Sequence, residues 1–266
     1  MTTENTWNAA KLSTSEDDAL WEFFHENTKL NPYDQFPPQE YIRKHMESLW
    51  PSLPYQNRPV TRLPEPDLAF DCSLGEAIKT RVSGREMERG PLSLQTLSTL
   101  LFCAYGVTRD NQDTGFPRPF RTVPSGGGLY PLELYIHITR CPELETGIYH
   151  YNPSENLLAF LHKGDASRDI SRALMQPEVA LNSTAMIMVT GVFERSTFKY
   201  GARGYRFACI EAGHVAQNVN LASNGLGLSC LNIGGYKDRD IDRLLNLDGV
   251  RSSTIYMMAV GYKPAG

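Results

Sequence analysis

Lys199 and Tyr200 are neighbours in Phe198-Lys199-Tyr200-Gly-Ala-Arg203-Gly-Tyr205-Arg206, a segment that holds three cations and two phenols. An ammonium beside a phenol makes a tunable acid/base pair. Arg203 and Arg206 also suit a surface helix start held by salt bridges. A second cluster, Arg81-Val-Ser83-Gly-Arg85, places two guanidiniums and a hydroxyl at alternate positions, so an extended segment would present all three on one face. Planar, permanently charged donors of this kind suit a phosphate and an electron-rich ring edge. The same residues also describe an ordinary solvated loop. Third, the turn Pro124-Ser125-Gly126-Gly127-Gly128-Leu129-Tyr130-Pro131 lets backbone approach a ligand without Cβ obstruction; its other reading is a flexible turn before a strand. No Gly-Lys-Ser/Thr follows it, and no GxGxxG joins a strand to a helix, so nucleotide loops of those kinds are excluded.

These segments need elements to hold them. Ser93 is a suitable N-cap for a core helix with Leu94, Leu97, Leu100 and Leu101 at helical spacing and Gly106 as its stop. Leu132, Leu134, Ile136 and Ile138 alternate as in a half-buried strand. Segments 147–151 and 157–161 flank Asn152-Pro153-Ser154 and read as a hairpin. The apolar run 184–193 reads as a central strand buried on both faces. A helix over about 204–224 follows, with Ala208, Ala212, Gly213, Ala216 and Ala222 permitting close packing and Gly225-Leu226-Gly227 as its stop. Within it His214 is expected to be buried, and Glu211 is a candidate partner for Arg203 or Arg206. Strand 229–233, helix 238–246 and strand 254–262 complete an α+β pattern with a mixed central sheet flanked by helices.

Residues 1–72 differ in character. Eight of the 17 prolines fall between residues 31 and 70, which predicts a short helix over 15–25 and then an extended arm wrapped over the body or over a partner; a mobile tail is the alternative. The division is a 1–72 extension and a 73–266 domain. Hydrophobic residues at 41% and charged residues at 21% support a core of that size. A net charge of -4 without a basic run argues against nucleic acid. No apolar stretch reaches membrane-span length and residues 1–13 lack a signal-peptide core, so the chain reads as cytoplasmic with no membrane partner. Cys72, Cys103, Cys141, Cys209 and Cys230 are scattered and suggest neither a disulfide framework nor a metal site.

Together these segments resemble the nitroreductase superfamily and, within it, the SagB-type azoline dehydrogenases of ribosomal peptide biosynthesis. Five stretches carry the resemblance: Phe24 to Lys29, Arg81 to Arg85, Pro124 to Pro131, Gly147-Ile-Tyr-His-Tyr151 and Phe198 to Arg206; Glu211-x-Gly213, Gln217-Asn218 and 225–228 add to it. The resemblance implies an FMN cofactor at a homodimer interface. Arg81 and Ser83 match positions that hold the FMN phosphate and ribityl chain, and Arg85 the basic residue near the N1/O2 edge. Ser125, Gly126 and Gly127 match a turn that reaches the flavin across the interface, while Gly234 and Gly235 match the backbone approach to N5 and O4. Lys199 and Tyr200 match the catalytic pair. Near the C-terminus only Lys263 is available as a further phosphate ligand, and glycines with Leu129 replace the Trp and Asn of nitroaromatic reductases.

The activity implied is oxidation of peptide thiazolines or oxazolines to thiazoles or oxazoles, with oxygen as electron acceptor, an azoline-containing precursor peptide as substrate and a cyclodehydratase as partner. Two other readings are NAD(P)H-driven reduction of an enone, dehydro amino acid or nitro group on the same fold, and a non-catalytic scaffold.

Overall fold

The computed structural model describes residues 18–111 and 115–264. The polar start of the chain and positions 15–17 of the first expected helix lie outside them. In chain order the elements are α1 (Asp18–Asn27), α2 (Gln39–Ser48), β1 (Val60–Arg62), α3 (Leu74–Thr80), α4 (Leu94–Tyr105), β2 (Val107–Arg109), β3 (Phe120–Arg121), β4 (Leu132–Ile138), β5 (Gly147–Asn152), β6 (Leu157–Lys163), α5 (Ser167–Ala173), α6 (Pro177–Asn182), β7 (Ala185–Val192), α7 (Glu194–Tyr200), α8 (Arg203–Gly225), β8 (Leu228–Ile233), α9 (Asp238–Leu244) and β9 (Ser252–Tyr262).

Seven strands form one sheet in the order β1-β6-β5-β4-β7-β9-β8. Every pairing in it is antiparallel, which corrects the expected mixed sheet. β7 lies near the middle, and its side chains alternate between two cores. Ala185, Ile187 and Val189 join the α4/α8 side, while Met186 and Met188 join the side covered by α5, α6 and α9. The α+β class is as the sequence patterning requires.

Local chemistry explains the elements that frame the site. Ser93 Oγ caps α4 by accepting from Thr96 N at 3.1 Å, and Gly106 N donates to Phe102 O to end it. Gly106 is extended rather than left-handed; a Cβ there would meet the Phe102 ring at 2.3 Å, so close packing selects glycine. β4 is buried on both faces rather than half-buried. Its intervening polar residues are all partnered: Glu133 with Arg195 and His150, Tyr135 with Tyr55, and His137 with Ala166 N.

The Pro-rich arm is not extended throughout. Pro38 opens the ten-residue helix α2, a position where a missing N–H costs nothing. The arm wraps over its own chain: Ile42 and Met46 of α2 pack on Leu129, Ser52 and Leu53 reach Glu133, and β1 adds an edge strand beside β6. Three further expectations fail on α8. His214 and Gly213 are exposed, and Glu211 accepts from Tyr105 Oη at 2.5 Å instead of meeting Arg203 or Arg206.

Candidate functional site

The Gly-rich turn and the Lys199-Tyr200 pair meet. Gly126 to Gly128 form a single 3₁₀ turn in which Gly127 has φ 69° and Gly128 has φ 65°. A Cβ built on Gly127 would lie 2.5 Å from Tyr200 Oη and 2.8 Å from Lys199 Nζ. Any side chain there would displace the pair, and the left-handed backbone independently favours glycine. On Gly126 a Cβ would touch the Phe207 ring at 3.0 Å. The first N–H groups of such a turn have no acceptor within it.

Lys199 and Tyr200 occupy the last turn of α7, which Gly201 ends at φ 55°. The segment between β7 and α8 is therefore a helix with its own stop, not a simple junction. Lys199 Nζ lies 4.9 Å from the Tyr200 ring centroid. Tyr200 meets Phe207 edge-on at 4.9 Å and Phe36 of the arm at 5.9 Å.

A buried carboxylate fixes this geometry. Glu133, one residue into β4 and so just beyond the turn, forms an ion pair with Arg195 Nη1 of α7 at 2.6 Å, and its other oxygen lies 2.6 Å from His150 Nε2. Leu53 N and Ser52 Oγ of the arm also donate to it, at 2.9 and 3.2 Å. Burial alone would raise its pKa; the charges of Arg195, His150 and Arg121 outweigh burial and hold it at about 2. One anion thus ties α7, the turn's strand and the arm together.

Beneath the turn, Ser125 Oγ accepts from Tyr130 N at 2.9 Å. Its hydroxyl holds the turn's shape. Burial pushes the Glu211 carboxyl up to about 7, against the hydrogen bond from Tyr105 and the charge of Arg121. Tyr130 itself has φ 48°, and its hydroxyl accepts from Arg121 N at 3.0 Å.

The other expected residues sit elsewhere. Gly84 N donates to Cys230 O, and a Cβ on Gly84 would fall 1.9 Å from Ser229 Oγ, so the Arg81 to Arg85 segment lies flat on the start of β8. Arg85 N donates to Ser83 O, so this segment turns at Gly84 instead of running straight. Arg81 and Arg85 make no side-chain hydrogen bond or ion pair with any described residue. Gly234 and Gly235 follow β8 at its far end and are exposed; a Cβ on Gly235 would press on Met175 at 3.2 Å. Lys263 is exposed.

These two groups are separated along α8. Phe207 touches the Gly turn near its start, whereas Asn224 near its end donates to Thr80 Oγ1 at 2.8 Å, next to Arg81. At 1.5 Å per residue the two contacts are about 25 Å apart along the axis. Within one chain, Lys199-Tyr200 with Ser125 to Gly127 form one cluster, and Arg81, Ser83 and Arg85 another.

Sequence reasoning missed Glu133, Arg195, Tyr105 and Thr28. It also missed α3, although Ser73 and Glu76 form a capping box that signals it. Among the described residues no cluster of His, Cys, Asp or Glu suits a metal, and no helix is long and apolar enough to cross a membrane.

Known proteins share this fold. The chain is 33% identical over 198 residues to MJ1384 of Methanocaldococcus jannaschii, which bears the nitroreductase name, covering 74% of this chain and 94% of that protein. It is 32% identical over 177 residues to the microcin B17-processing protein McbC of Escherichia coli, spanning 60% of this chain and 59% of McbC. Among solved structures, one from Anabaena variabilis named as a nitroreductase superposes with a TM-score of 0.74 at 21% identity, covering 95% of this chain and about half (49%) of that one. A chain of the E. coli microcin synthetase McbBCD complex, solved with truncated pro-MccB17 bound, superposes at 0.56 with 23% identity and 91% of each chain covered. The Nitroreductase family model matches residues 78–262, from α3 through the last strand, and with the antiparallel sheet and the long α8 already described, this makes the chain a member of the nitroreductase family, an oxidoreductase fold.

Proposed function

We propose that the protein is an FMN-dependent dehydrogenase that converts thiazolines or oxazolines in a precursor peptide to thiazoles or oxazoles. The observation that carries this reading is the convergence of Lys199 and Tyr200 on Gly127. The likeness to McbC supports it.

The residues assigned to FMN fit an anionic, planar group. Among the described residues Arg81 and Arg85 have no side-chain hydrogen bond or ion pair, they flank the Ser83 hydroxyl, and exposed Gly234 and Gly235 leave backbone open at the far end of β8. That β8 separation, about 17 Å at 3.3 Å per residue, suits a phosphate at one end and a ring at the other. When bound, FMN supplies a two-electron hydride acceptor that oxygen regenerates.

The chain's own residues handle the proton. An azoline Cα–H is acidified by the adjoining C=N and carbonyl groups, and Tyr200 Oη takes that proton. Accepting it requires the phenolate form of Tyr200, whose negative charge the neighbouring Lys199 ammonium offsets before the transfer. Gly127 leaves the space in which both groups reach the ring, and the dry network around Glu133 keeps α7 from shifting.

The separation along α8 supports a homodimer in which a second copy brings the Ser125 to Gly127 turn to the Arg81 cluster. The exposed row Ile210, Gly213, His214 and Gln217 on α8, beside an apolar groove of about 370 Å³ lined by Leu68, Phe70, Phe102 and Leu221, suits such a contact. In this reading residues 73–266 form the FMN-binding domain, 1–72 its extension, a cyclodehydratase supplies the substrate, and the setting is cytoplasmic. The flavin absorbance of purified protein, and its loss when an azoline peptide is added without oxygen, tests the proposal.

The nitroreductase name of MJ1384, matched over 94% of that protein, favours a second reading: NAD(P)H-driven reduction of an enone, dehydro amino acid or nitro group. Bleaching of the flavin by NAD(P)H, with no response to azoline peptide, would select it.

A further inference from the structure

The segment Phe24 to Lys29 and the arginines Arg203 and Arg206 have no part in the chemistry above, yet the structure joins them. Thr28 is buried, 2% exposed, within an otherwise exposed stretch of arm. Arg203 Nη1 donates to its carbonyl at 2.9 Å, and Arg206 Nη1 to its hydroxyl at 3.1 Å. The hydroxyl in turn donates to Phe24 O at 2.7 Å. Two guanidiniums at the start of α8 thus bond to one neutral residue rather than to a carboxylate. Hydrogen bonds from charged donors are the stronger kind.

Beyond this latch the arm forms the wall of a pocket of about 290 Å³ that includes Lys199 and Tyr200. Asn31 and Gln35 line it from the arm. Phe36 closes it by resting edge-on against Tyr200. Carboxamides both donate and accept, which matches the alternation of a peptide main chain. A bare heterocycle has no such pattern to offer.

Resting on the azoline reading, we infer that residues 28–36, latched by Thr28 to Arg203 and Arg206, grip the peptide backbone flanking the reacting ring and so select peptide-borne rings over free ones. Thr28 is a positioning residue, acting through the arm.

The test compares FMN-loaded wild type with Thr28→Val and Phe36→Ala on two substrates: a thiazoline within a peptide, and a small thiazoline without flanking residues. In the wild type kcat/KM favours the peptide; each variant lowers that preference at least tenfold, and Thr28→Ser, which keeps the hydroxyl, restores it. Binding gives a readout free of turnover: the Kd of a fluorescently labelled thiazole product peptide rises by a similar factor in both variants. General structural damage would lower both substrates in parallel. A retained preference, or an unmoved Kd, overturns the inference. If wild type oxidises neither substrate, the azoline reading fails and the inference falls with it, an outcome distinct from retained preference.

Discussion

Gly127 and Tyr200 are in contact across 73 positions of sequence: a single methyl on the glycine would come within 2.5 Å of the phenol oxygen. Gly127→Ala therefore tests the geometry of the pair without touching either member. The backbone at φ 69° adds about 1–2 kcal/mol of strain. We expect that loss of stability in urea titration, and a fall in azoline turnover of about 100-fold or more, since displacement of reacting groups by about 1 Å has that scale.

Tyr200→Phe removes the proposed proton acceptor and keeps the ring that packs on Phe207 and Phe36. Lys199→Ala removes the ammonium. Each is expected to lower turnover by about 100-fold to 10,000-fold while flavin absorbance per protein stays at the wild-type level. Full turnover in both variants would remove these residues from the chemistry.

Arg195→Met leaves the buried carboxylate of Glu133 with one charged partner fewer. Breaking such a pair from one side costs about 3–5 kcal/mol, so the midpoint of urea unfolding should fall sharply. Because the folded pKa of Glu133, about 2, lies below its unfolded value, its contribution is present above the ordinary carboxylate range and is lost as pH falls toward 2. The acid arm of wild-type unfolding should therefore flatten in the variant.

Glu211 has the opposite sign. Its folded pKa of about 7 exceeds the unfolded value, so the native state holds the proton more tightly; the stability this gives is full below about pH 4 and declines as pH rises through 7. The change is on the order of 3 kcal/mol. Glu211→Gln, which fixes the neutral form, should remove that slope from stability measured between pH 5 and 8.

Much of this was legible in the chain because it is written locally. The caps and leucines of α4, the apolar run of β7 and the small residues of α8 each satisfy a short-range period, and their elements formed where expected. α7 was hidden because seven residues hold too few apolar positions to show a period, although Gly201 marks its end. The Glu133 network was illegible for a different reason. Its partners come from the arm, β5 and α7, and nothing near Glu133 in sequence distinguishes it from an exposed strand residue. For the site, Lys199-Tyr200 and the glycine turn announced themselves by residue type, whereas their contact is a product of the fold.

The central claim is ring oxidation, and mass measurement tests it most directly. A thiazoline- or oxazoline-containing peptide is incubated with the flavin-loaded protein in air, and its mass is followed. Loss of two hydrogens per ring is expected, abolished by Tyr200→Phe. An unchanged peptide mass, from protein that carries flavin and consumes NAD(P)H, would contradict it.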